Sequence, residues 1–344
     1  MPVERRERNM KPNLKQKFKL GTTLFSFTNE FWSHEYTFEQ LVRKVGELGL
    51  GPGLEVIGFQ SIRGFPNVSD EFAARFRDLV AMYKLEPTSL AINADVWARR
   101  GGAPLSVDET VAYLDPQIRA AKKLGFPVVR SQLAATPEVV ERLLPLVEKL
   151  GVRMGPELHA PWTIDSPAIV AYRELYARLR SPLLGFIPDF GSCAKAWPAP
   201  YLRQLREAGI PPALLDLAMS VWNGDGDTQW KRDEFARRAA AAKFEPASIS
   251  RLGVLFSMLI KQDPHVWMEI MPQIIHVHCK FYDFDVDGNE TTVPYDELLP
   301  MFVEGGYEGY MSSEWEGHMY SRGSGIEAVQ KHHALSKRIL APYN

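Results

Sequence analysis

Short apolar runs alternate along the chain with longer stretches of helical period. The strand-like segments are Lys19–Phe27, Leu54–Gly58, Thr88–Asn93, Val128–Leu133, Arg153–His159, Leu184–Phe190, Ile274–Tyr282 and Tyr310–Gly317. Between them, apolar positions recur at helical spacing in Phe38–Leu48, Asp70–Lys84, Val107–Leu124 and Pro137–Leu150. Ser69-Asp70-Glu71 and Thr136-Pro137-Glu138 are helix starts, each with a side-chain acceptor ahead of the first turn. Gly49, Gly125 and Gly151 fall just past helix ends, where a left-handed residue is favoured.

Eight strand–helix units predict parallel strands joined by right-handed crossovers, and that number closes a sheet on itself. The expected fold is an α/β (β/α)8 TIM barrel. A dinucleotide-binding sheet lacks support, because no Gly-x-Gly-x-x-Gly turn follows the first strand. Inward-looking polar residues near the strand ends (Glu55, Asn93, Arg130, Glu157, Asp189, His278, Glu314) recur at similar intervals with one exception. The gap between Asp189 and His278 is more than twice the others, so residues 192–273 form an extended connection between strands 6 and 7. That segment holds Trp197, Trp222, Trp230 and Trp267 and reads as a lid or partner-docking surface.

The length of 344 residues suits one barrel with insertions, residues 19–344, behind a basic tail of residues 1–18. The tail has no apolar stretch before Leu20, so it does not read as a secretory signal. A net charge of −2 excludes binding to nucleic acid chiefly through phosphate neutralisation. No apolar run approaches the roughly 18 residues of a membrane span. Cys193 and Cys279 alone make no disulfide framework. The expectation is a cytoplasmic protein that binds neither nucleic acid nor membrane.

Candidate chemistry gathers at the C-terminal strand ends, the catalytic rim of such barrels. The fifth strand ends Glu157-Leu158-His159, the sixth Pro188-Asp189, the seventh carries His276-Val277-His278-Cys279-Lys280, and the eighth carries Glu314-Trp315-Glu316-Gly317-His318. Interior carboxylates are costly unless paired or bound to a cation. Convergence of Glu157, Asp189, His278 and Glu314 therefore points to a divalent metal. Three carboxylates and an imidazole favour Mn2+, with Mg2+ or Co2+ as alternatives, over a structural zinc site.

These motifs resemble the xylose-isomerase-like barrels of the sugar phosphate isomerase/epimerase superfamily, over roughly Leu20 to Leu340. The resemblance implies metal ligands at the same four positions. Endonuclease IV of that superfamily fits poorly, since no histidine lies between His34 and His159. The epimerases' Gly-Glu-x-x-Arg stretch after the histidine pair is replaced by Cys279-Lys280-Phe281-Tyr282-Asp283. With the long sixth connection, this is more similar to the alpha subunit of C-glycoside deglycosidases. That resemblance implies a metal-dependent carbon–carbon lyase acting on 3-oxo-C-glycosides with a flavonoid-like aglycone, in a hetero-oligomer with a small β-rich second subunit. A sugar isomerase, epimerase or inosose-type dehydratase is the alternative, and a non-catalytic barrel subunit a third class.

A 3-ketone acidifies the sugar's C2 proton, so a base is needed, and His159 shares a strand face with Glu157. Glu55, Arg130, Lys280, Glu316 and His318 are candidate substrate contacts, whereas His276 reads as support for its strand. Trp32, Trp97, Trp162 and Trp315 follow or end strands and offer flat faces to sugars and polyphenols. Asp283-Phe284-Asp285-Val286-Asp287-Gly288 matches half of a calcium loop but lacks the bidentate Glu, Pro294 standing in its place, and reads as a hairpin-type turn. Asn67-Val68-Ser69 and Asn289-Glu290-Thr291 match the glycosylation pattern without a secretory context.

Overall fold

A computed structural model describes residues 14–95 and 103–344. Most of the basic tail and Trp97 lie outside the described residues. Eight parallel strands follow one another around a nearly closed barrel: β1 Lys19–Thr23, β2 Gly53–Ile57, β3 Glu86–Ala91, β4 Val128–Ser131, β5 Arg153–Leu158, β6 Ile187–Pro188, β7 Val277–Phe281 and β8 Tyr310–Trp315. Their order is β6-β5-β4-β3-β2-β1-β8-β7, and parallel bridges Phe186↔Ile274 and Asp189↔His278 join the two ends of this series. The expected (β/α)8 barrel is therefore present.

The four anticipated helices span Phe38–Glu47, Asp70–Met82, Val107–Leu124 and Pro137–Leu150. Ser69 Oγ accepts from the Phe72 amide, and Thr136 Oγ1 accepts from Val139. Gly125 and Gly151 end their helices with φ of 91° and 61°. Strand ends are shorter than the apolar pattern suggests. After Thr23 the chain turns into a single 3-10 segment, Leu24–Phe27, in which Thr23 Oγ1 caps the Phe25 amide. Strand β6 has only two ladder residues, one of them a proline that has no N–H to donate. The tail boundary also shifts: Phe18 is buried and the Gln16 amide donates to the Tyr343 carbonyl, so residues 14–18 pack on the barrel.

Close approach of backbones sets the composition of the barrel floor. A side chain on Gly155 would place its Cβ 2.2 Å from the Gly185 carbonyl oxygen, so β5 and the chain leading into β6 meet where only glycine fits. Residues 192–273 are mainly helical, with helices Ala199–Glu207, Pro212–Asn223, Thr228–Ala241 and Pro246–Gly253. They share the main hydrophobic core through Trp197, Trp222, Phe235 and Phe256. Trp267 stacks on Phe190 just beyond β6, while Trp230 stays half exposed. The anticipated turn after β7 is present, with Gly288 at φ 73° and a Phe284↔Glu290 bridge. No helix among the described residues is long and apolar enough to cross a membrane.

The C-terminal helix Gly325–Leu340 seals β1 and β8 with two buried histidines. His332 stacks on Phe281 and pairs with Ser313 Oγ at 2.7 Å, and His333 Nε2 lies 3.3 Å from the Gly21 carbonyl. Burial pushes His333 down to about 4 and His332 well below the ordinary histidine range. Above the unfolded pKa of about 6.5 neither state is protonated at these rings; below it the unfolded chain takes up protons that the folded chain refuses. Stability should therefore fall by about 2 kcal/mol for His333 alone between pH 7 and 5. Thermal melts across that range should show a shallower acid loss in His333→Gln than in the wild type. Equal slopes would contradict this assignment.

Candidate active site

Strand alternation decides which side chains enter the barrel. On β7 the residues Val277, Cys279 and Phe281 pack outward against the helices, which leaves His278 and Lys280, and His276 just before the strand, inside. On β8 the inward positions are Ser312 and Glu314, while Ser313 meets His332 behind the sheet. Register completes the assembly: Lys280 lies beside Glu314, Ser312 beside His278, and Asp189 bridges to His278. Glu157 arrives from the end of β5.

These neighbours form one compact group. Glu157, Asp189, His278 and Glu314 each offer a ligand atom, and the four atoms all lie within 4.8 Å of one another. His278 Nδ1 is 2.6 Å from Glu157 Oε1 and 3.5 Å from Glu314 Oε2. Lys280 Nζ is 2.6 Å from Asp189 Oδ2, 3.1 Å from Glu316 Oε2 and 3.7 Å from Glu314 Oε2. Arg130 Nη1 stands 3.5 Å from Glu157 Oε2. Asp189 Oδ1 accepts from the Gly191 amide at 2.6 Å.

The electrostatics of this group are unbalanced. Among the described residues, five carboxylates (Glu55, Glu157, Asp189, Glu314, Glu316) face two permanent cations, Arg130 and Lys280, in a largely buried volume. Burial, reinforced by Asp189 and Glu157, pushes Glu314 up to about 8 against the pull of His278 and Lys280. His278 goes the opposite way: burial opposes its charge, but Glu55, Glu314 and Glu157 outweigh burial and hold the imidazolium well above the usual range. Burial also opposes ionisation of Glu157, yet Arg130 and His278 keep it well below a typical carboxylate. Protons thus stand in for missing positive charge. Asp189 Oδ2 and Glu314 Oε2, both buried, accept no well-directed hydrogen bond despite the nearby Lys280. Such a pocket fits a divalent cation, and its oxygen-rich donor set suits a hard-to-borderline ion.

The remaining candidates separate by position. The His159 side chain is 40% exposed at the open side of the group, with Nε2 3.9 Å from Asp189 Oδ2. Its Nδ1 donates to the Ala160 carbonyl at 2.6 Å, which leaves the lone pair on Nε2. Glu316 is joined to the group through Lys280. His318 stands at its edge: its Nδ1 donates to the Trp315 carbonyl and its ring meets Phe25 edge-on, in the wall of a cavity of about 730 Å³ that Tyr282 also lines. Glu55 departs from the sequence expectation of a rim substrate contact. It is fully buried below the group, with His278 Nε2 and His276 Nε2 at 2.9 and 2.8 Å from its two oxygens.

Sequence reasoning missed two features. His276 is not mere strand support but shares Glu55 with His278. Tyr282, two residues past Lys280 on the same face, is buried in the charged group; burial pushes its phenol well above the ordinary range although Lys280 works the other way. Period-two spacing beyond Lys280 was the available signal. Of the rim tryptophans, Trp32 and Trp162 are exposed, whereas Trp315 is buried with its indole N–H donating to the Tyr282 carbonyl, an ordinary core cap.

No protein-family profile matches the chain. Among solved structures it is similar to the IOLI protein with a bound zinc atom (TM-score 0.57, 11% identity, 95% of this chain and 99% of that one). It is similar too to the D-psicose 3-epimerase of Clostridium cellulolyticum H10 (TM-score 0.56, 12% identity, 94% and 99%). At such identities these likenesses show the xylose-isomerase-like barrel fold. Curated sequences are far nearer. The 3'-dehydrocarminate deglycosidase alpha subunit of Microbacterium sp. is 41% identical over 335 residues, covering 93% of this chain and 95% of that protein. A C-glycoside deglycosidase alpha subunit of Arthrobacter globiformis is 39% identical over 328 residues, covering 94% and 92%. The chain belongs to the C-glycoside deglycosidase alpha-subunit family.

Proposed function

We propose that the chain is the catalytic subunit of a metal-dependent lyase that cleaves the carbon–carbon bond between an oxidised sugar and an aromatic aglycone. The observation that carries this reading is the convergence of Glu157, Asp189, His278 and Glu314 with the free Nε2 of His159 at their open side. The names of the relatives support the substrate class and the division of labour between subunits. The second subunit is read as a small β-rich protein.

The C–C bond of a C-glycoside is inert until the sugar carries a ketone at C3. A base then removes the C2 proton. The electron pair returns from the resulting enolate, C1 and C2 become doubly bonded, and the bond from C1 to the aryl carbon leaves with its electrons. A proton delivered to that carbon completes the aglycone. A divalent ion held by Glu157, Asp189, His278 and Glu314, Mn2+ by preference, would supply Lewis acidity toward a sugar oxygen. His159 acts as the base, because the Ala160 carbonyl fixes its tautomer and its ring is reachable from solvent. Lys280 and Glu316 together present a charged donor and acceptor to sugar hydroxyls. Arg130 orients Glu157 and faces the same space. His318 contributes from the wall of the neighbouring cavity, on the side read as holding the aglycone.

Three outcomes are expected. Purified together with its accompanying subunit, the protein should hold one divalent ion per chain and release free aglycone from a 3-oxo-C-glucoside; epimerisation without release would overturn the lyase reading. His159→Ala should lower kcat by roughly 10²–10⁴-fold with metal content unchanged, as read by elemental analysis beside steady-state kinetics. Metal loss in that variant would argue that His159 is a ligand instead. Protons compete with the cation at Glu314 and His278, so Mn2+ affinity measured by calorimetry should weaken as pH falls below about 8. A flat profile between pH 8 and 6 would contradict the ligand assignment.

A further inference from the structure

We propose that Glu55 is a positioning residue for the cation, acting from the far wall of the barrel by holding a proton on His278 Nε2 and thereby turning the Nδ1 lone pair toward the pocket. The inference rests on the reading of the four-residue group as a cation site and adds a fifth residue, remote from it in sequence and in sheet order.

An imidazole can ligate through either nitrogen, and the partner of the other nitrogen decides which. His278 Nδ1 faces the group, 2.6 Å from Glu157 Oε1 and 3.5 Å from Glu314 Oε2. Its Nε2 faces away, 2.9 Å from Glu55 Oε1. An ionised carboxylate only accepts, so the proton of this pair sits on Nε2. Glu55 is fixed in turn: its Oε2 lies 2.8 Å from His276 Nε2, which also has Ser312 Oγ at 3.1 Å. All four side chains are buried to 1% exposure or less, so water cannot replace a lost partner. Strand β2 is separated from β7 by β1 and β8, so Glu55 reaches His278 across the barrel interior.

Two other roles for Glu55 fail on geometry. A sugar cannot reach it, because neither oxygen opens to the rim. Glu55, His276 and His278 also lie close enough to hold an ion of their own. However, that trio offers a single carboxylate and is buried throughout, whereas the four-residue group offers three carboxylates and reaches the open side through Glu157. What remains is a carboxylate–imidazole–cation series in which the anion makes Nδ1 a stronger donor.

Replacing Glu55 by Gln keeps the shape but removes the charge and one acceptor, so the two imidazoles can no longer both be served. Mn2+ titrations of the metal-stripped protein should show Glu55→Gln binding roughly 10–100-fold more weakly, with circular dichroism unchanged and the absorption bands of the Co2+-loaded form shifted. A fold defect would leave the affinity question to the wild type. There, the imidazole nitrogen spectrum of the Zn2+-loaded, ¹⁵N-histidine-labelled chain should show His278 protonated at Nε2. A proton on Nδ1 of His278, or a folded Glu55→Gln with wild-type affinity and wild-type Co2+ bands, would overturn the role of Glu55 alone. A wild type that binds none of these ions would overturn it together with the cation site.

Discussion

An excess of buried negative charge governs the interior of this barrel at its catalytic rim. Three carboxylates of the four-residue group, with Glu55 beneath and Glu316 beside it, meet only Arg130 and Lys280 as fixed cations among the described residues. Low-dielectric surroundings magnify such an imbalance. The chain without an added ion answers by retaining protons, on Glu314 up to about pH 8 and on His278 well beyond its ordinary range. A divalent cation would replace those protons with charge that does not titrate. The same imbalance explains why the side chains around it are so thoroughly anchored, through Gly191, Ala160, Ser312 and His276.

The barrel supplies this arrangement through register. Parallel neighbours place Lys280 against Glu314 and His278 against Ser312 and Asp189, so residues far apart in sequence become adjacent without any loop having to hold them. Glycine contacts such as Gly155 against Gly185 let the strands close around the site. The helical insertion after β6 then extends the main core with its aromatic side chains, and Tyr201 from it packs at a tilt against Tyr320 of the β8 loop, ring centroids 4.4 Å apart. The connection is thereby tied to the rim that carries the charged group.

Much of this was legible in the sequence because two periodicities suffice for it. Period-two spacing put Glu157 with His159, His278 with Lys280, and Glu314 with Glu316 on shared faces, and the even recurrence of these strand ends announced the barrel. What escaped was whatever depends on contacts across the interior. Glu55 is the middle residue of β2 and so lies deeper than a rim residue, where only the three-dimensional pairing with His276 and His278 reveals its place. His318 likewise shares a motif with Glu316, but the chain turns into the 3-10 segment Gly317–Met319 and carries the ring into the wall of the neighbouring cavity. Trp315 looked like a stacking platform and is a buried cap, its indole N–H donating to the Tyr282 carbonyl just past β7.

The central claim is that one cation completes this pocket. Anomalous scattering from crystals grown with Mn2+, recorded at the manganese absorption edge, tests it most directly. A single strong peak per chain, bounded by Glu157, Asp189, His278 and Glu314, is the expected result. A featureless map at that position, or a peak held by other residues, would contradict it.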